Sequence, residues 1–271
     1  MKLRHNRGWL PHFTPRRRRI LIWCGIVFGV VFIYLYVFGV STWFIIIEGR
    51  NLSGKDDPSL WETPVALKDL SISKAPGRKL SYLGYEFEVP WDDLDEQKTR
   101  LVGKWQVISF HSGESIVFST PPPNGLVNSF FEEGGADKRA WSRFLGAETI
   151  QSDYAFIRAA LETTPGDIGL LTPRGAAART IMLLLGKSIQ IIANEGQSGI
   201  FLIQTRDFRG FQYGNPASRP SGIEADLFAD KVHLHFVFSE KKWAGFVSQA
   251  EINRVIQSVR PVHQQGSSVN H

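Results

Sequence analysis

Two hydrophobic patterns divide the chain. Between Arg19 and Glu48 there are 28 residues without a charge, Ile20 to Ile47, against the roughly 20 that a helix needs to cross the hydrocarbon core of a bilayer. A secretory signal has an apolar region about half as long followed by a small-x-small cleavage site, whereas this run ends in Phe-Ile-Ile-Ile-Glu, so an uncleaved transmembrane helix is expected over 20–47. Beyond it the apolar positions recur with periods of two and 3.6, as in strands and helices with one buried face.

Residues 48–79 are rich in turn formers and charges and predict a linker, with a short ordered piece around Trp61 to Leu70. From Lys79 to Val89 the alternation of Leu83, Tyr85, Phe87 and Val89 with Tyr82, Gly84, Glu86 and Glu88 predicts one half-buried strand ended by Pro90. KWQVISFH (104–111) and SIVFST (115–120) predict a hairpin closed by three prolines. The middle, 124–187, reads as helical. Ser152 is placed to cap a helix running to about Glu162, and Thr172-Pro173 opens a second, apolar nearly all round, that stops near Gly186. Strands are expected again at 187–193, 199–205 and 207–214, then as a hairpin at 222–230 and 231–239. A last helix opens with the capping box Ser248–Glu251 and carries Ile252, Val255, Ile256 and Val259 on one face.

The order of strands, helices, strands and helix predicts an α+β fold: one transmembrane helix followed by a mostly antiparallel sheet packed with helices. The expected layout is a basic cytoplasmic segment 1–19, the span 20–47, the linker 48–79, an extracytoplasmic domain 80–262 and a tail 263–271. The opening strand YLGYEFEVPW, the late strand VHLHFVF and the closing helix SQAEINRVIQSV resemble the PsbP-like fold. That group includes the extrinsic photosystem II protein, a small Ran-binding protein and many bacterial lipoproteins. The resemblance implies an adaptor or binding domain more than an enzyme.

Charge sets the orientation. Seven cations and no acid precede the span, so the N-terminus is expected in the cytoplasm and the domain in the periplasm or outside the cell. Residues 20–271 carry 24 Lys and Arg against 26 Asp and Glu. The net charge of +5 therefore belongs to the anchor and speaks against a nucleic-acid partner. Cys24, the single cysteine, lies inside the span, and its position near the start of the apolar run does not fit a lipid acceptor. A cysteine-free external domain points to a single-pass protein of a bacterial inner membrane.

The candidate chemistry is sparse. His111, His233 and His235 could form a three-imidazole metal site, but no supporting acid is evident and the simpler reading places His233 and His235 on the less apolar face of a strand. Gly186-Lys187-Ser188 follows a helix instead of preceding one, which reverses a phosphate-binding loop. Asp92, Asp93, Asp95 and Glu96 lack the glycine and late glutamate of a calcium loop. Ser109, Ser112 and Ser115 lie near His111 without the elbow motif of a serine hydrolase. Arg206, Phe208, Arg209, Phe211 and Tyr213 interleave cations and aromatics, the composition of a partner-binding rim. In the span, Gly25, Gly29 and Tyr36 share a face and suggest a homodimer contact.

The leading expectation is a membrane-anchored binding or adaptor domain, with the lipid bilayer and an envelope protein as partners and no cofactor. Two alternatives are a tethered hydrolase or metal-dependent enzyme using His111, His233 and His235, and a structural subunit of a membrane complex.

Overall fold

The computed structural model describes residues 26–31, 33, 58–132, 137–168, 172–193, 199–218, 222–240 and 247–262. The expected span is largely outside them, as are Cys24, Gly25, Tyr36, the basic segment and the tail. Residues 26–31 and 33 are helical and exposed, with open space where Gly29 would carry a side chain. Among the described residues no helix is long and apolar enough to cross a membrane.

The remainder is an α+β fold built on a mostly antiparallel eight-stranded sheet. Its strands are β1 (Val65–Ala66), β4 (Arg100–Val102), β5 (Trp105–Ser109), β6 (Glu114–Ser119), β7 (Ile200–Gln204), β8 (Arg209–Tyr213), β9 (Gly222–Ala229) and β10 (Val232–Glu240), in the order β1-β7-β8-β9-β10-β6-β5-β4. Only β1 joins in parallel, on β7. A second sheet of three strands comprises β2 (Arg78–Tyr82), β3 (Tyr85–Val89) and β11 (Arg260–Pro261), in the order β11-β3-β2. Five helices follow in chain order: α1 (Gly125–Glu132), α2 (Lys138–Leu145), α3 (Asp153–Glu162), α4 (Arg174–Ala193) and α5 (Gln249–Ser258).

The period-two pattern of β10 divides its side chains between two layers. Leu234, Phe236 and Phe238 face the main core, where they meet Phe87 and Val89 of β3, Ile108 and Phe118 of the β5–β6 hairpin, and Ile252, Val255 and Ile256 of α5. The capping box predicted for α5 forms: Ser248 Oγ accepts from the Glu251 N–H, and Glu251 accepts from the Ser248 N–H at 2.7 Å. The other sheet face lies under helices, with Tyr154, Ile157 and Leu161 of α3 packed on Phe211, Tyr213 and Phe228.

Three expectations are corrected. The run 79–89 is a hairpin, not one strand: Leu83 and Gly84 take positive φ values of 49° and 83°, which turn the chain back so that Tyr82 pairs with Tyr85. KSIQIIA is the last two turns of α4, not a strand. Over its second half Leu183, Lys187 and Ile191 are buried at a spacing of four. Gly186 marks a close helix crossing instead of a stop: a Cβ there would lie 3.4 Å from Phe156 and 3.6 Å from Ala160 of α3.

The third correction concerns the linker. From Pro58 onward it is a strap bound along the domain. Leu60 is buried, and Lys187 Nζ donates to the carbonyls of Leu60 (2.9 Å), Glu62 (2.5 Å) and Thr163 (2.9 Å). Asn253 Nδ2 donates to Asp69 O and Ser71 O, both at 2.8 Å, and Arg254 reaches Ser73 O and Ala75 O. These bonds satisfy backbone groups that the strap's two-residue strand leaves unpaired. Burial pushes the Lys187 ammonium down to about 8, against the opposing pull of Glu62 and Asp167.

Candidate functional site

The two histidines of β10 share an acid that strand register supplies. In the β9–β10 hairpin His235 lies opposite Asp226 and His233 opposite Phe228. His233 Nε2 is 2.8 Å and His235 Nδ1 2.9 Å from the same oxygen, Asp226 Oδ1. Asp226 is 4% exposed. Burial pushes its carboxyl up, but the two imidazole hydrogen bonds and charges outweigh that and hold it at about 2. Burial likewise opposes charge on His235, yet Asp226 and, more weakly, Glu224 raise it overall. The cluster is enclosed by aromatic rings: His235 meets Trp105 edge-on at 5.6 Å, and His233 stacks on Phe228 at 4.4 Å.

Gly210 of β8 makes room for this arrangement. A Cβ at that position would come within 1.8 Å of the Asp226 carbonyl, so β8 can approach β9 at the acid only as glycine.

Beside His233 is a cavity of about 250 Å³, lined by two acids, Asp153 and Asp230, two cations, Arg209 and Lys231, and Asn124, Ser152, Tyr154 and His233 among others. Its position follows from local sequence. Ser152 caps α3 by accepting from the Ala155 N–H at 3.2 Å. The next residue, Asp153, accepts from the Val127 N–H (2.9 Å) and the Leu126 N–H (3.2 Å) at the start of α1. The Arg209 guanidinium lies 4.2 Å from the Tyr154 ring centre, a contact that fixes the cation while leaving its N–H edge available. Among the described residues neither Arg209 nor Lys231 pairs with a carboxylate. No hydroxyl or thiol there hydrogen-bonds to His233 or His235.

No family model, curated protein or solved structure matches the chain.

The structure brings only some of the expected site residues together. His233 and His235 meet, whereas His111 lies in the turn at the opposite end of β6, exposed, with Nδ1 3.7 Å from Asp95. Among the described residues no group of three or more His, Cys, Asp or Glu is placed to hold a metal ion. The aromatic half of the expected rim is core: Phe208 belongs to the main cluster, and Phe211 and Tyr213 pack under α3. Arg206 and Arg209 remain at the surface, Arg206 3.9 Å from its neighbour Asp207. Of the acidic run, Asp93 accepts from the Ser112 N–H at 2.6 Å in the β5–β6 turn, and Asp95 accepts from the Lys98 N–H at 3.1 Å in the turn that leads into β4. Asp226, Tyr154 and Lys231 were absent from the sequence-based list. Asp226 had a signal: a two-residue turn at Asp230-Lys231 places it opposite His235.

Proposed function

We propose that the chain is a membrane-tethered binding protein whose extracytoplasmic α+β domain uses the cavity beside His233 to recognise an acidic group on an envelope partner. The observation that carries this reading is a pair of cations in the cavity wall, Arg209 and Lys231: Asp153 and Asp230 also line it, but Asp153 is taken up by the Leu126 and Val127 N–H groups, and among the described residues neither cation forms an ion pair. A cation held over an aromatic ring at the mouth of a cavity is preorganised for a carboxylate or phosphate. His233, fixed by Asp226, adds a polar edge. The closed Asp226–His233–His235 network, with no nucleophile hydrogen-bonded to it, favours binding over the hydrolytic alternative. The 28-residue uncharged run behind seven cations supports the tether and its orientation.

The test has two parts. Alkaline extraction of membranes should leave the full chain in the pellet; release into the supernatant refutes the tether. Co-purification after detergent solubilisation should then lose its specific partner in the variant Arg209→Ala/Lys231→Ala, at unchanged melting temperature. An identical set of partners refutes the binding role assigned to the cavity.

A further inference from the structure

Helix α4 carries an apolar stripe on the side away from its core contacts. Leu185 is 45% and Ile189 66% exposed, and Ile181, partly exposed, continues the same row at a spacing of four. From Thr180 to Ala193 the helix contains one ionisable side chain, Lys187, and it is buried, with its ammonium on the strap. The outer face of these last turns therefore offers water no charge. An uncharged, exposed apolar row on a helix whose opposite side is already packed is a surface that gains by being withdrawn from water, and a membrane interface can receive it.

The attachment of the strap says what can reach this face. Lys187 holds the carbonyls of Leu60 and Glu62, so the chain enters the domain against α4, within one turn of Ile189. A helix is about 10–12 Å across. Between the end of the uncharged run at Ile47 and Pro58 lie ten residues, which extend to at most about 35 Å. The entry point and the stripe are separated by about one helix diameter, well within that reach. We infer that the stripe Ile181–Leu185–Ile189 rests on the outer leaflet of the bilayer, seating the domain on its side with α4 parallel to the membrane. This seating rests on the tether proposed above. The eight-stranded sheet places β4 at the edge far from β1, so the comparably exposed Leu101, at 59%, points to water.

Spin labelling of the full chain separates the outcomes. With Cys24→Ser as background, Ile189→Cys and Leu101→Cys each give one attachment site in vesicles of phosphatidylethanolamine and phosphatidylglycerol. The label at 189 should show an oxygen-to-nickel-chelate accessibility ratio several-fold above that at 101. Vesicle flotation with equal, water-like ratios at both positions overturns the seating while leaving the tether intact. Failure to float overturns both. A higher ratio at 101 transfers the contact to the β4 edge and overturns this inference, and dipolar broadening between labels at 189 would show a second copy on the stripe instead of lipid, with the same result.

Discussion

Replacing Asp226 by asparagine keeps the shape of the cluster and removes its charge. The wild-type carboxyl is held at about 2 against an ordinary 3.8, a difference worth about 2 kcal/mol. Because the folded value is the lower one, this stability is present above about pH 4 and is lost as pH falls through 2. His235 has the opposite sign: its folded value is raised from 6.5, so its contribution is complete below that pH and declines as pH rises through the folded value. The cluster thus supports the fold most strongly between about pH 4 and 6.5. Asp226→Asn should cost about 2–3 kcal/mol at pH 5.5, roughly 5–10 °C in melting temperature for a domain of this size. It should also flatten the acid limb of the stability curve. With burial no longer opposed by the carboxylate, His235 should titrate below 6.5, readable from its imidazole carbon-bound proton by NMR. If His235 still titrates above 6.5 in the variant, or the acid limb is unchanged, Asp226 is not what charges the histidine.

Other consequences follow from packing. Gly210→Ala drives a methyl into the Asp226 carbonyl and should cost at least about 1–3 kcal/mol while lowering the fraction folded; a variant that melts with the wild type would refute the close approach. Lys187→Met leaves three carbonyls without their donor, so trypsin should cut the strap at Lys68 and Lys74 much faster than in the wild type, and equal cleavage rates would sink the clamp. The wild-type Lys187 value of about 8 lies below the ordinary 10.5, so this group withholds stability below pH 8. Stability should therefore rise by about 3 kcal/mol more in the wild type than in Lys187→Met between pH 8 and 10.5, as measured by denaturant titration.

The elements that were legible in sequence are those whose local pattern and tertiary setting agree. β10 alternates because it has a core face and a second face, and α5 carries its own capping box. The errors arose where one residue had two meanings. Gly186 reads as a helix stop because glycine commonly follows helices, but in the fold it serves a helix crossing. Leu83 fitted an alternating strand by hydrophobicity and instead occupies a positive-φ turn. Residues 58–76 read as a linker because their partners, Lys187, Asn253 and Arg254, bind backbone carbonyls, and a segment held by its backbone leaves little trace in its side chains. At the candidate site the histidines were visible, while Tyr154 came from a helix more than fifty residues away from either strand, a juxtaposition that only the fold creates.

The strap has a further consequence for the order in which the protein becomes complete. Its bonds join residues 127 positions apart at Lys187–Leu60 and 184 apart at Asn253–Asp69. Such distant partners form late, because the intervening chain must first be ordered. Residues 58–76 emerge from the ribosome early, yet the part around Leu60 has its donor only once α4 is made, and the part from Asp69 to Ala75 only once α5 is made. Until those partners are in place the strap's carbonyls lack their side-chain donors, and its closure is the step that completes the domain.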